Sequence, residues 1–200
     1  MAKKDAKYWR AKLGELKGAK PNPRNPHETV IQTVSPSFNF IWGRGWGLPL
    51  GYSVNFYGEP KSGKSLLTYI MAGGVHSCYP DGFVVKFNTE FREEGQLTTE
   101  WAKMYGIDMD RYMGFDANDP QIIYDQIDKE IRAFCKEGLP IKLIIIDSMN
   151  GVQGLRTLER DSIAKVQIGD VAKTNKEGLK MVLEIQREFG IGLAMTSPGA

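Results

Sequence analysis

The chain has 200 residues, of which 42% are hydrophobic and 25% charged, with a formal net charge of +2. This length favours one domain with room for an appendage, and the composition is that of an ordinary soluble globular protein. The sequence contains no run of about 18 apolar residues and no apolar N-terminal segment, which predicts neither a membrane span nor a secretory signal. Cys78 and Cys135 are isolated, which favours free thiols and a cytoplasmic protein.

The first 26 residues differ in character from the rest of the chain. Residues 1–24 contain eight lysines and arginines against Asp5 and Glu15 alone. A helix is predicted over 5–17, with Tyr8, Trp9, Leu13 and Leu16 near one face. The proline-rich stretch 20–26 cannot continue that helix and predicts a stiff linker. We therefore predict an arm at 1–26 and a core at 27–200. The basic arm would either contact a polyanion or acidic partner, or be a solvated helix face.

A phosphate-binding motif follows the first core strand, which is predicted at 52–57. Positions 58–65 match the pattern G-x-x-x-x-G-K-[ST] and read Gly58, Glu59, Pro60, Lys61, Ser62, Gly63, Lys64 and Ser65. A helix is predicted to leave this loop at 66–71, beginning with Leu66. The order of strand, loop and helix is the context that this motif requires, although a Gly/Ser turn before an ordinary helix remains the alternative.

Each position of the motif suits the binding of ATP with Mg²⁺. Gly58 and Gly63 would permit backbone angles that a side chain blocks, so that the loop turns its N–H groups towards a triphosphate. The helix N-terminus adds partial positive charge at the same place. Lys64 is expected to reach the β- and γ-phosphates, and Ser65 to ligate Mg²⁺. Lys61 would either contact phosphate or remain a solvated lysine.

The remaining elements alternate between strand and helix. Strands are predicted at 83–87, 141–146 and 191–196, and helices at 95–105 and about 170–189. The nearly continuous apolar run at 141–146 is typical of a strand buried on both faces of a parallel sheet. Taken together, this alternation predicts an α/β fold with a mainly parallel sheet flanked by helices.

Another helix is predicted to begin at Asn118-Asp119-Pro120 and to end at Gly138. A capping side chain and a proline in the first turn are typical of a helix start, and glycine of a helix end. The helical spacing places four apolar residues on one face: Ile123, Ile127, Ile131 and Phe134.

Two carboxylates are candidates for the second half of the site. Asp147 follows the apolar strand, where a carboxylate would hold Mg²⁺ directly or through water, or would only cap the strand end. Glu90 follows the strand at 83–87 and would polarise the water that attacks the γ-phosphorus. Glu93 and Glu94 are close enough in sequence to compete for that role.

Several of these motifs, in this order, resemble the RecA recombinase family, especially the UvsX-like recombinases of bacteriophages. The similarity runs through most of residues 28–197. The segments that carry it are Glu28–Gly51, Gly58–Ser65, Asn88-Thr89-Glu90, Trp101–Asp108, Ile144–Ser148 and Ile168-Gly169-Asp170. It implies a RecA-type P-loop ATPase core preceded by an N-terminal helix and linker.

The resemblance assigns further roles to residues of this chain. It implies that Trp101 stacks on adenine, with a core position as the alternative, and that Glu90 is the catalytic glutamate. It places a first DNA-binding loop at about 154–167, where Arg156, Arg160 and Lys165 would meet phosphates or form a solvated mixed-charge loop. It also implies that the helix of the arm packs on a neighbouring protomer, with a frayed tail as the alternative.

The implied function is ATP-dependent DNA recombination in a bacterial or phage-infected host cytoplasm. The expected partners are single-stranded DNA, homologous duplex DNA and further copies of the chain in a helical filament. The strand at 191–196 lacks the family's usual glutamine, and the chain is expected to be a core that lacks the family's C-terminal part. Two alternatives stay open. One is another RecA-fold ATPase, such as a replicative helicase or a KaiC-like ATPase, and the other is a nucleotide-binding assembly module without turnover.

Overall fold

The computed structural model of the protein describes residues 11–12, 15, 30–43, 46–90, 97–149 and 168–198. The strands within these ranges are β1 (Val30–Ile31), β2 (Leu48–Pro49), β3 (Ser53–Gly58), β4 (Phe83–Asn88), β5 (Tyr112–Asp116), β6 (Ile141–Asp147) and β7 (Gly192–Pro198). The helices are α1 (Pro36–Gly43), α2 (Lys64–Cys78), α3 (Thr99–Tyr105), α4 (Pro120–Asp125), α5 (Arg132–Glu137) and α6 (Ile168–Phe189). A 3₁₀ turn covers Met109–Arg111, and a π-helical segment at Gln126–Ile131 joins α4 to α5.

Five of the strands form one parallel sheet in the order β3-β7-β6-β4-β5. β1 and β2 form a separate antiparallel pair. β6 lies in the middle of the large sheet, and all its residues except Lys142 are buried. This burial explains its apolar composition, because a central parallel strand is covered on both faces. The α/β fold with a parallel sheet flanked by helices, as a RecA-type core requires, is confirmed.

The two faces of the sheet carry separate hydrophobic clusters. Ile144 and Ile146 of β6 pack on the face covered by α4, the π-helical segment and α6. Leu143 and Ile145 point to the opposite face, which α2 and α3 cover. Because side chains alternate along a strand, Asp147 continues the row that faces α2. The chain therefore directs this carboxylate towards the helix that follows the phosphate-binding motif.

The helix predicted at 118–138 begins and ends as expected, but its second half is rotated. Asp119 caps it by accepting a hydrogen bond from the backbone N–H of Gln121, and Gly138 ends it with φ of 104°. Ile123, Ile127 and Ile131 are buried, whereas the side chain of Phe134 is 46% exposed. The wider π-helical turns before α5 shift its phase away from the 3.6-residue spacing on which the prediction for Phe134 depended.

Other predicted elements agree within a few residues. The helix predicted at 95–105 is α3, which Thr98 caps, and residues 91–96 lie outside the described residues. The arm at 1–26 also lies outside them, apart from 11–12 and 15, so its boundary with the core stays a prediction. Within the described ranges, no helix has the length and apolar character needed to cross a membrane.

Candidate nucleotide-binding site

The phosphate-binding motif forms a tight loop between β3 and α2. Gly63 takes a left-handed conformation with φ of 89°, as predicted, and Lys61 takes one with φ of 62°. Gly58 does not have a positive φ. A Cβ on Gly58 would instead lie 3.1 Å from Oγ of Ser62, so this glycine provides room for the loop to close. Lys61 is thus the residue of the loop whose backbone is strained. A positive φ is unusual for a residue with a side chain, except at functional sites.

The lysine of the motif is held within the loop. Nζ of Lys64 donates 2.8 Å hydrogen bonds to the carbonyl oxygens of Gly58 and Glu59. Lys64 is also the first residue of α2, where the unpaired N–H groups of the helix start add positive potential. The next residues, Ser65 and Leu66, lie in the same first turn. This arrangement concentrates donors and positive charge where a triphosphate would bind.

Asp147 lies at the carboxyl end of β6 and is 8% exposed. Its Oδ2 is 2.8 Å from Nζ of Lys86, and its Oδ1 accepts a hydrogen bond from Oγ1 of Thr196. The hydroxyl of Ser65 also donates to this carboxylate. Burial raises the pKa of Asp147, but the charge and hydrogen bond of Lys86, with the two hydroxyl hydrogen bonds, outweigh burial and hold the pKa below its usual value.

Glu90 lies beside Asp147 because β4 and β6 are neighbours in register. Oε1 of Glu90 accepts a 2.6 Å hydrogen bond from Oγ of Ser148, the residue after Asp147. Thr89 joins the two strand ends, since its backbone N–H donates to the carbonyl of Asp147 at 2.9 Å. The peptide bond between Asp147 and Ser148 is cis. The structure thus brings Glu90 close to Asp147, the carboxylate predicted to hold a metal, while Glu93 and Glu94 lie outside the described residues.

Trp101 lies on α3 and packs against α2, the helix that follows the phosphate-binding motif. Its ring meets the rings of Tyr69 and Tyr105 edge-on, at centroid distances of 6.1 Å and 6.4 Å. The side chain remains 39% exposed. Tyr69 is on α2, four residues after Ser65, so the tryptophan lies against the helix that leaves the loop. This position is compatible with a base-stacking role, because an exposed part of the indole remains beside an aromatic support.

Sequence reasoning missed several residues of the site. Lys86, Thr196 and Ser148 all contact one of the two carboxylates, and none was singled out. One signal was available for Lys86. It interrupts the apolar strand Phe83–Asn88, and a lysine in a buried strand needs a carboxylate partner. The predicted DNA-contacting residues Arg156, Arg160 and Lys165 lie outside the described residues.

The residues present fit a magnesium ion that is shared with a nucleotide. Ser65 and Asp147 offer hard oxygen donors, and Mg²⁺ is typically bound by one or two such groups together with substrate phosphates. Among the described residues, no group of three or more His, Cys, Asp or Glu side chains forms a metal cage.

Comparison with known proteins agrees with this geometry. No protein-family model matches the chain. It is 28% identical over 167 residues to Protein RecA of Mycoplasma genitalium, a match covering 81% of this chain and 44% of that protein. It is 29% identical over 153 residues to Protein RecA of Tropheryma whipplei, covering 76% of this chain and 32% of that protein. The chain thus spans less than half the length of the curated relatives that it matches.

Proposed function

We propose that the protein to which this chain belongs is an ATP-dependent DNA recombinase of the RecA family, a proposal that its similarity to two RecA proteins supports. The observation that carries the proposal is the convergence of Lys64, Ser65, Asp147 and Glu90 at one edge of a parallel sheet. These are the groups that bind phosphate, hold a metal and position water in a P-loop ATPase. The less specific part of the proposal, that the protein is an ATPase, depends only on these four side chains.

Each side chain has a distinct task in the proposed reaction. Lys64 would move from the loop carbonyls to the β- and γ-phosphates and balance their charge. Ser65 and Asp147 would hold Mg²⁺, which neutralises charge on the phosphates when it is bound. Glu90, oriented by Ser148, would accept a proton from the attacking water. Trp101 would bind the adenine by stacking, and we propose that the segment Gly58–Leu66 forms the nucleotide cradle.

The proposal also includes DNA as a partner. We propose single-stranded DNA bound through Arg156, Arg160 and Lys165, pairing of that strand with homologous duplex DNA, and hydrolysis that resets the affinity of the assembly. Self-association into a filament would use the helix of the arm at 1–26, and the core would be 27–200. The setting would be the cytoplasm of a bacterium or of a phage-infected host. The similarity to the two RecA proteins supports these partners.

The deciding experiment measures ATP hydrolysis with and without single-stranded DNA while particle size is followed. We expect turnover and size to rise together on addition of DNA. Lys64→Ala should abolish both responses, and Lys180→Ala, which changes an exposed lysine of α6, should leave them intact. Unwinding of duplex DNA coupled to hydrolysis would replace the proposal with a helicase. ATP binding without stimulated turnover would leave an assembly module.

A further inference from the structure

We propose that the positive charge of Lys86 balances the negative charge of Asp147 before any ligand binds. As a result, Mg²⁺ would bind at this site only together with the nucleotide. The inference concerns the proposed ATP·Mg²⁺ site and rests on that proposed function. Lys86 lies on β4, two residues before the strand ends, and is 5% exposed. A lysine that deep must be paired or lose its charge.

The surroundings of Lys86 hold its ammonium group in a fixed position. Its Nζ lies 2.8 Å from Oδ2 of Asp147 and donates a 3.2 Å hydrogen bond to the hydroxyl of Tyr69. The same nitrogen is 4.4 Å from the centroid of the Tyr69 ring, within the range of a cation–π interaction. Two residues, Asp147 and Tyr69, therefore hold this ammonium group through three contacts, and of the two only Asp147 carries a full negative charge.

Asp147 is equally well supplied with donors. Oδ2 accepts from Lys86, Oδ1 accepts from Thr196, and Ser65 donates its hydroxyl proton to the same carboxylate. A serine that donates its proton in this way keeps its oxygen lone pairs for a metal. We infer that Asp147 contributes to metal binding partly by orienting the Ser65 hydroxyl, and that Lys86 holds the Asp147 carboxylate in the position that this task needs.

The charge balance has a consequence for metal binding. The cations Lys64 and Lys86 stand against the anions Glu90 and Asp147, so these four side chains carry no net charge. A divalent ion alone then gains little from entering, since the nearest buried carboxylate is already compensated. The triphosphate supplies the missing negative charge, and Mg²⁺ is expected to bind with the nucleotide. Lys86 would be a positioning residue, because it acts through Asp147.

The test measures the thermal unfolding midpoint against Mg²⁺ concentration at pH 8, without nucleotide. We expect no shift for the native chain. Lys86→Met should lower the midpoint by roughly 10 °C, because a buried charge loses its partner. Magnesium at 10 mM should then restore about 4 °C by taking the place of the lysine. Lys142→Met is the matched control, since Lys142 lies on β6 over the Tyr79 ring, 5.4 Å from its centroid. It should show no response to magnesium.

A double variant covers the case in which Lys86→Met does not fold. Lys86→Met with Asp147→Asn removes both charges, so it should fold and be more stable than the single variant, with no response to Mg²⁺. The proposal is overturned if the double variant is as unstable as Lys86→Met, or if a folded Lys86→Met responds to Mg²⁺ as the native chain does. Since no readout involves ATP, failure of the proposed ATPase activity would appear separately.

Discussion

Oγ of Ser148 donates a 2.6 Å hydrogen bond to Oε1 of Glu90, although 58 residues separate them in the sequence. The pairing connects the ends of β4 and β6 and fixes one oxygen of the carboxylate. The other oxygen is the one that we expect to meet the attacking water.

Replacing Glu90 by glutamine should slow ATP turnover and spare binding. Glutamine keeps an oxygen that can accept from Ser148 but is far too weak a base to take a proton, so turnover should fall by about 10²- to 10⁴-fold. Ser148→Ala should slow turnover less, by about tenfold, since it disturbs only the orientation of the Glu90 carboxylate. Single-turnover hydrolysis and nucleotide affinity measured side by side would test this. Equal loss of affinity in Glu90→Gln would assign the residue to binding.

Trp101→Ala should weaken ATP binding by about tenfold, given that stacking of a base on an aromatic ring contributes about 1–3 kcal/mol. Trp101→Phe should retain most of the affinity. Inorganic tripolyphosphate has no base and should bind all three proteins equally, which calorimetry can measure. If its affinity falls as well in Trp101→Ala, the indole instead supports the fold through its contacts with Tyr69 and Tyr105.

Because of His76, we expect the free energy of unfolding to fall in mild acid. The ring is buried on α2, with Nδ1 accepting from the backbone N–H of Asp108 at 2.9 Å and Nε2 facing the carbonyl of Arg111 at 3.3 Å. Burial, followed by the charge of Arg111, lowers the pKa of His76 below its ordinary 6.5, although the Arg111 carbonyl and Asp108 act in the opposite direction.

The sign of this effect follows from proton uptake. The unfolded chain protonates His76 below about pH 6.5 while the folded chain resists, so the free energy of unfolding should fall as the pH drops from 6.5 to 5. His76→Gln removes the titration and should flatten the curve in that window, even though it is less stable at pH 8. Urea unfolding at several pH values measures both. Parallel curves for the two proteins would refute the assignment.

Gly73→Ala should destabilise the fold, although alanine is the better helix former. A Cβ at this position of α2 would clash with the carbonyl oxygen of Tyr105, which is backbone and cannot rotate away. The clash should cost at least about 2 kcal/mol net of helix propensity. Ser77→Ala on the exposed side of the same helix is the control and should be neutral within about 0.5 kcal/mol. A Gly73→Ala protein as stable as the control would contradict the close approach of α2 to the Tyr105 carbonyl.

Removing residues 1–19 should leave the core folded and reduce self-association, because the proposed apolar contacts of Tyr8, Trp9, Leu13 and Leu16 are lost. The measurement is particle size at several protein concentrations, with the unfolding midpoint recorded on the same samples. Changing Lys3, Lys4 and Lys7 to serine is the control that removes charge alone. Particle sizes unchanged by the deletion would exclude the arm from assembly.

Local sequence determines much of this fold, and distant pairing determines the rest. The turn at Gly63 and the helix ends at Asp119 and Gly138 follow from neighbouring residues, and each was predictable. The ion pair between Lys86 and Asp147 joins residues 61 positions apart, so it depends on which strands become neighbours. The exposure of Phe134 was wrongly predicted because the π-helical turns before it leave no clear signal in the spacing of apolar residues.

The order of the strands makes the site a property of the whole sheet. Gly58, Glu90, Asp147 and Thr196 lie within two residues of the ends of β3, β4, β6 and β7, and a one-residue slip of any strand would turn its side chains to the other face. A ligand that binds at this edge therefore requires all four strands to be in place. Nucleotide should therefore slow amide hydrogen exchange in these four strands together, so that ligand affinity adds to the global free energy of unfolding.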